Sequence, residues 1–338
     1  MNTVTTTKSA LNIAQRITQA MSEERGMIAK LEELPAHKIP AELETRRREW
    51  RVSSMVLAQW ESQGRQVLAI NEELVESIRF ASSSKITPEV FRTLPYLNPM
   101  VVFPTPPRIK THTKGETLRV LGFHTYGLPH PRVHVLSTHD PEADTLGAYT
   151  VIEITRDDDP HNPIIEFDYI SFPMDGQALT LKEAVDAMMS RFEWNHGDDT
   201  VRSKNRFMRE LVSLVVGSLM YLCSTTLDAE KVPRKAVLKA LGNPPRAPFS
   251  MYRVGWQIGA ALSAARRTVK VDDPSQQIKP GYEQDPQHRR AHFKTVWTGE
   301  GSMIPKTVFI APYWTHMERL GDKGVNTVRR VSPPSGDT

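Results

Sequence analysis

A single cysteine, Cys223, occurs in 338 residues. It has no partner for an internal disulfide and no second thiol for a zinc ribbon, so the chain reads as a protein of a reducing cytoplasm. Its neighbours Leu219, Met220, Tyr221 and Leu222 make it a buried structural thiol rather than a nucleophile. Long hydrophobic runs are also missing. The longest, residues 211–223, is shorter than the about 20 residues a membrane span needs. Residues 1–10 are polar and Thr-rich, without the apolar core of a secretory signal. Absent too are a Walker loop, a dinucleotide-binding glycine fingerprint and a Gly-x-Ser-x-Gly elbow. The enzyme classes those motifs announce are unsupported, and no catalytic residue or cofactor is assigned.

What is present is ordinary in amount and uneven in placement. Hydrophobic residues make up 39% and charged residues 24%, as in a globular chain able to bury a core. The net charge of +4 hides a strong polarity. Residues 1–138 carry 18 basic and 13 acidic side chains, residues 139–200 carry 3 and 15, and residues 201–338 carry 22 and 11. A basic last part beside an acidic centre fits a partner of matching polarity, or contact between the two regions.

Hydrophobic spacing divides the chain. Within residues 9–34, Ile13, Ile17, Ala20 and Met21 share a helical face that Ile28 and Leu31 extend, until Pro35 and Pro40. A second helical pattern covers residues 41–81, where Trp50, Leu57, Trp60, Val67, Ile70, Leu74 and Ile78 recur at helical spacing and Gly64 is a point of interruption. Arg46, Arg47, Arg48 and Arg51 read as its solvated basic face. Pro95, Pro99, Pro104, Pro106 and Pro107 exclude continuing helix and mark a linker or an edge. Strands over 118–125, 132–138, 148–155 and 163–171 are joined too closely for crossover helices, which predicts an antiparallel meander. Helices over 180–192, 201–223 and 233–241 follow. Val254, Trp256 and Ile258 alternate like a strand, whereas the Ala-rich stretch 259–267 favours helix. The expectation is an α+β fold with a helical N-terminal part (residues 1–87). An α+β domain follows (88–320), with a central antiparallel sheet, C-terminal helices and a hairpin, then a polar tail (321–338).

Two groups in the centre invite a metal reading. His112, His124, His130, His134 and His139 crowd it, and His124 and His134 fall where a hairpin would bring them together, but the spacings follow no ligand signature. Asp157, Asp158 and Asp159, with Glu166 and Asp168 on a strand, offer carboxylates to a magnesium-dependent nuclease. The aspartate triplet precedes Pro160, as turn residues do, and no lysine stands at nuclease spacing. No metal site is assigned.

The densest constellation lies in residues 286–316, PQHRRAHFKTVWTGEGSMIPKTVFIAPYWTH. Two β-prone aromatic runs, 292–298 and 306–314, flank Gly299-Glu300-Gly301-Ser302 and predict a hairpin. His288, Arg289, Arg290, His292, Lys294, Trp297, Tyr313 and Trp314 form the candidate partner-binding surface. Cations and rings together suit a polyanion or an extended peptide. As a metal pair, His288 and His292 are disfavoured by the two arginines between them.

This stretch resembles the C-terminal signature of the second type V-A anti-CRISPR family, in which a His-Arg-Arg-x-His run precedes an aromatic turn ending in glycine and a returning strand. Three further places agree in the same order. They are Phe172-Pro173-Met174-Asp175-Gly176-Gln177, the apolar helix at 211–223, and Pro248-Phe249-Ser250-Met251-Tyr252 leading into Ile258-Gly259. The resemblance spans residues 172–314. It implies a phage- or plasmid-borne inhibitor that recognises the N-terminal part of the type V effector polypeptide during translation, with loss of its messenger. The implied partners are that nascent polypeptide, the ribosome and messenger RNA, and no membrane. Two other functions fit the residues alone: an RNA-binding regulator with another target, and a metal-dependent nuclease.

Overall fold

The strand Gln66–Ile70 (β1, QVLAI) is buried along both faces, and the main sheet is arranged around it. This computed structural model describes residues 3–35, 39–79, 81–83, 88–96, 98–109, 115–126, 145–173, 180, 182–183, 185–186, 199–244, 248–259, 261–262, 287–302 and 304–315. Upstream of β1, α1 (Thr3–Glu32) and α2 (Ala41–Ser62) run antiparallel, as the ion pairs Arg25–Glu61 (3.0 Å) and Arg51–Glu32 (3.1 Å) require. Arg47 pairs with Glu44 at 3.2 Å, so two of the basic residues near the start of α2 are neutralised by carboxylates of the helical pair. The helix expected to continue to residue 81 stops at Ser62. Gly64 (φ 96°) and Arg65 (φ 50°) adopt left-handed backbone, and Trp60 Nε1–H donates to the Gln66 carbonyl at 2.8 Å. The chain then continues as β1 and a short helix, α3 (Glu72–Arg79). A strand covered on both faces is a continuous apolar run, and QVLAI has no period-two signature to separate it from a helix.

The remaining strands of the main sheet are β3 (Met100–Val102), β4 (Arg108–Ile109), β5 (Glu116–Tyr126), β6 (Thr145–Arg156), β7 (Ile164–Pro173), β8 (Ala229–Lys231) and β9 (Ser250–Val254). β2 (Ser82–Ser83) lies outside it. The order is β7-β6-β5-β3-β1-β9-β8, with β4 on β5. β5, β6 and β7 form the expected antiparallel meander. β1 departs from it: Val67 is in register with Met100 of β3 and Met251 of β9, both parallel, so the sheet is mixed and mostly antiparallel. β3 occupies the Pro-rich stretch read as linker or edge, and its three residues are buried.

Helices cover both faces. Asp199–Leu222 forms α4 and Arg234–Ala240 forms α5, and Val67, Ala69, Met100, Val102 and Val151 pack toward α1, α2 and α5. Leu68, Ile70, Val101, Val120 and Phe123 pack toward α3 and α4. Leu211, Leu214, Val215 and Leu219 of α4 are buried, in agreement with the apolar helix read there. A Cβ on Gly217 would overlap the Ile78 side chain, so glycine sets the approach of α4 to α3. Buried Glu153 of β6 meets Arg16 of α1 and Arg119 of β5 (3.6 Å), tying α1 to the sheet. Residues 256–259 are helical rather than strand. Thr180 and Glu183 cap each other's amides at 2.7 and 3.2 Å, a capping box at the start of the helix expected over 180–192. The rest of that helix lies mostly outside the described residues, as do the strand expected at 132–138, residues 263–267 and the tail at 321–338. No helix among the described residues is long and apolar enough to cross a membrane.

Candidate partner-binding hairpin

The basic, aromatic C-terminal segment folds as a long interrupted hairpin. Gln287–Arg289 (β10) leads through Arg290 and Ala291 into His292–Thr298 (β11). Ile304–Ile310 (β12) returns, and Tyr313–Thr315 (β13) pairs with β10. The register runs from His292↔Ile310 to Thr298↔Ile304 without a bulge, and His288↔Trp314 and Arg289↔Tyr313 continue it beyond the interruption. Gly299 (φ 81°) and Gly301 (φ 66°) supply the left-handed backbone of the turn.

The root of the hairpin is fixed to the core. Phe293 and Phe309 are buried with ring centroids 5.1 Å apart, and Phe309 meets Tyr221 of α4 edge-on at 5.2 Å. Burial pushes the Tyr221 hydroxyl up to about 12. Both edges are also held at the root. β2 pairs in parallel with β11 at His292 and Phe293. On the other side, Thr225 N–H donates to the Thr307 carbonyl (2.8 Å) and Phe309 N–H to Ser224 Oγ (3.0 Å).

Alternation then separates the residues that the sequence grouped together. Phe293, Thr295 and Trp297 share one side of β11, and His292, Lys294, Val296 and Thr298 the other. Trp297, 49% exposed at the tip, therefore lies on the opposite face from Lys294. Arg290 and Lys294 are exposed, and Tyr313 is 45% exposed with its ring 6.4 Å from that of His292. His292 Nδ1 is 3.2 Å from the Arg290 carbonyl, which can only accept. His288, Arg289 and Trp314 are placed by backbone register alone. Two residues absent from the sequence-based surface belong to it by position: Lys306, exposed opposite Val296, and Ile304, 56% exposed opposite Thr298. The signal that would have found Lys306 was strand alternation counted back from Phe309.

The alternative centres do not assemble. Among the described residues no three His, Cys, Asp or Glu side chains gather as a metal site. His124 is fully buried against Trp60, while His112, His130, His134 and His139 lie outside the described residues. Asp159 accepts from the Asn162 side-chain amide at 2.9 Å, which is turn chemistry, and Asp157 N–H donates to the Gly115 carbonyl at 2.7 Å, continuing the β5–β6 ladder. Glu166 and Asp168 sit two apart on β7. Cys223 is buried, and its thiol is pushed up to about 12 by that burial, far from the thiolate a nucleophile needs.

No curated protein matches the chain. Among solved structures, the crystal structure of AcrVA2 is similar at 15% identity and a TM-score of 0.42, covering 90% of this chain and 92% of that one. The profile of the AcrVA2-like family, described as the anti-CRISPR type V subtype A2 family, matches residues 68–317, a span that begins inside β1 and ends just past β13. By that match the chain belongs to the anti-CRISPR type V subtype A2 family.

Proposed function

We propose that this protein lowers the amount of a type V CRISPR effector by recognising the N-terminal part of its polypeptide during translation, with loss of the messenger being translated. The C-terminal hairpin is its contact surface with the translating complex. Family membership supports the target class. The observation that carries the choice of surface is the hairpin itself, anchored at its root by Phe293 and Phe309 while Arg290, Lys294, Trp297, Lys306 and Tyr313 project into solvent. A surface rigid at one end and rich in cations and rings at the other is suited to recognition, since Trp, Tyr and Arg are enriched among the few residues that carry most of the energy of contact surfaces. The nuclease reading gains no support from the geometry, because the described carboxylates occupy turns and a strand without converging.

The test uses a reporter fused behind the N-terminal coding segment of a type V effector, co-expressed with this protein, with reporter messenger and protein both measured. Synonymous recoding of the segment should preserve repression, and a compensated frameshift that changes only the peptide should abolish it. Repression that follows the nucleotide sequence instead would replace peptide recognition by recognition of the messenger itself.

A further inference from the structure

One face of the hairpin has a pattern that its structural role leaves unexplained. His292, Lys294 and Val296 of β11 share it with Ile304, Lys306 and Val308 of β12. Lys306 stands opposite Val296 and Lys294 opposite Val308, so the two lysines are diagonal neighbours, roughly 7–8 Å apart. Both are exposed. The sole carboxylate in residues 287–315 is Glu300, in the turn. At the root end of the face, exposed Tyr313 lies beside His292, and exposed Arg290 precedes it. The face thus runs from a pair of rings, through two exposed ammonium groups, to the apolar tip at Ile304.

We propose that this face binds single-stranded RNA, with Tyr313 and His292 stacking on bases and Lys294, Lys306 and Arg290 contacting phosphates. The inference deepens the proposed role of the hairpin by naming its ligand class, and it rests on that role. Charge favours a polyanion, and exposed rings favour one whose bases are unpaired. The backbone argues the same way. β2 pairs with the β11 edge at the root and residues 224–226 hold the β12 edge there, so strand addition by a peptide has only the tip to use. The flat face has no such restriction.

The test is fluorescence anisotropy of labelled oligouridylate with the purified full chain. Three phosphate contacts predict a log–log salt slope of about −2, or an affinity loss of about 15-fold between 50 and 200 mM salt. Lys294→Gln with Lys306→Gln should reduce the slope to about −0.7 and weaken binding by about ten-fold or more. Tyr313→Ala should weaken it on the order of ten-fold with the slope unchanged. Lys30→Gln with Lys235→Gln removes the same charge from exposed sites on α1 and α5 and should change neither quantity. Equal losses from both double variants would reduce the effect to overall charge and overturn the proposal. So would unchanged binding by the hairpin variant with its melting temperature preserved, or equal binding of polyglutamate through the same lysines. The effector reporter is read in parallel. RNA binding by this face without any repression by the parent chain would remove the target assignment and leave the RNA face standing.

Discussion

The imidazole of His124 meets the indole of Trp60 edge-to-face, with ring centroids 5.6 Å apart and an angle of 82° between the planes. The two come from β5 and α2 and close the layer between sheet and helix, where the Phe249 ring also lies 6.1 Å from that of Trp60. His124 is fully buried, and among the described residues neither of its ring nitrogens has a hydrogen-bond partner. Burial disfavours the imidazolium and lowers the pKa from 6.5 to about 3.

A pH dependence follows. The folded chain keeps His124 neutral, while the unfolded chain protonates it below its ordinary value of 6.5. The resulting stability is complete above pH 6.5 and is lost as the pH falls toward about 3, at up to about 1.4 kcal/mol per pH unit. At pH 5 the loss is about 2 kcal/mol. His124→Leu cannot titrate, so its urea midpoint should fall less steeply than the parent's between pH 6.5 and pH 4. Parallel profiles for the two proteins would show that His124 is not held neutral.

Gly122 supports a second prediction. It follows the register shift between Val120 and Gly122 in β5, and a Cβ built on it would overlap the Val101 carbonyl oxygen of β3. That atom belongs to a buried strand paired on both sides, so it cannot yield without breaking the ladder. Gly122→Ala should cost at least about 1–3 kcal/mol, read as a lower urea midpoint. A midpoint equal to the parent's would show that the close approach of these strands is not required.

The helix α4 separates stability from chemistry. Leu214→Asp places an unpaired charge at a buried position and should sharply lower soluble yield or melting temperature. Cys223→Ser, one residue past the end of α4, should leave repression intact. Native protein should also resist a thiol reagent that labels it rapidly once unfolded, because the buried thiol has so little thiolate. Fast labelling of the native chain would contradict that burial.

Which parts of this architecture were legible follows from where their signals lie. β5, β6 and β7 carry local turn residues and β-rich runs, and α4 carries more than two turns of apolar residues, so each could be read within its own segment. β1 could not. Its parallel partners at Met100 and Met251 are distant in sequence, and its five residues fit the helical spacing of Trp60, Leu74 and Ile78 around them. The punctuation at Gly64 was visible, but not that the chain would resume as a strand. At the hairpin, residue types were enough to identify the segment and its turn. They did not separate its faces, since that depends on strand parity: three residues from Lys294 to Trp297 reverse the side, while Lys306 joins Lys294 only across the turn.

The exposed basic end of the hairpin tests whether this element acts or merely closes the fold. Arg290 is exposed in the interruption between β10 and β11, and Arg289 precedes it in register with Tyr313. Exposed Arg290 stands away from the Phe293–Phe309–Tyr221 packing that holds the root. Replacing both arginines by glutamine removes two charges with little loss of side-chain volume, so the melting temperature should stay near that of the parent. If the hairpin contacts the translating complex, the same variant should lose most of its repression of the type V effector reporter, and in a cell-free translation assay the difference from the parent should be greatest at low salt, where the two removed charges would be least screened. A folded double variant that represses as strongly as the parent would remove these arginines from the contact surface. It would leave Lys294, Lys306 and Tyr313 as the residues of that face to vary next.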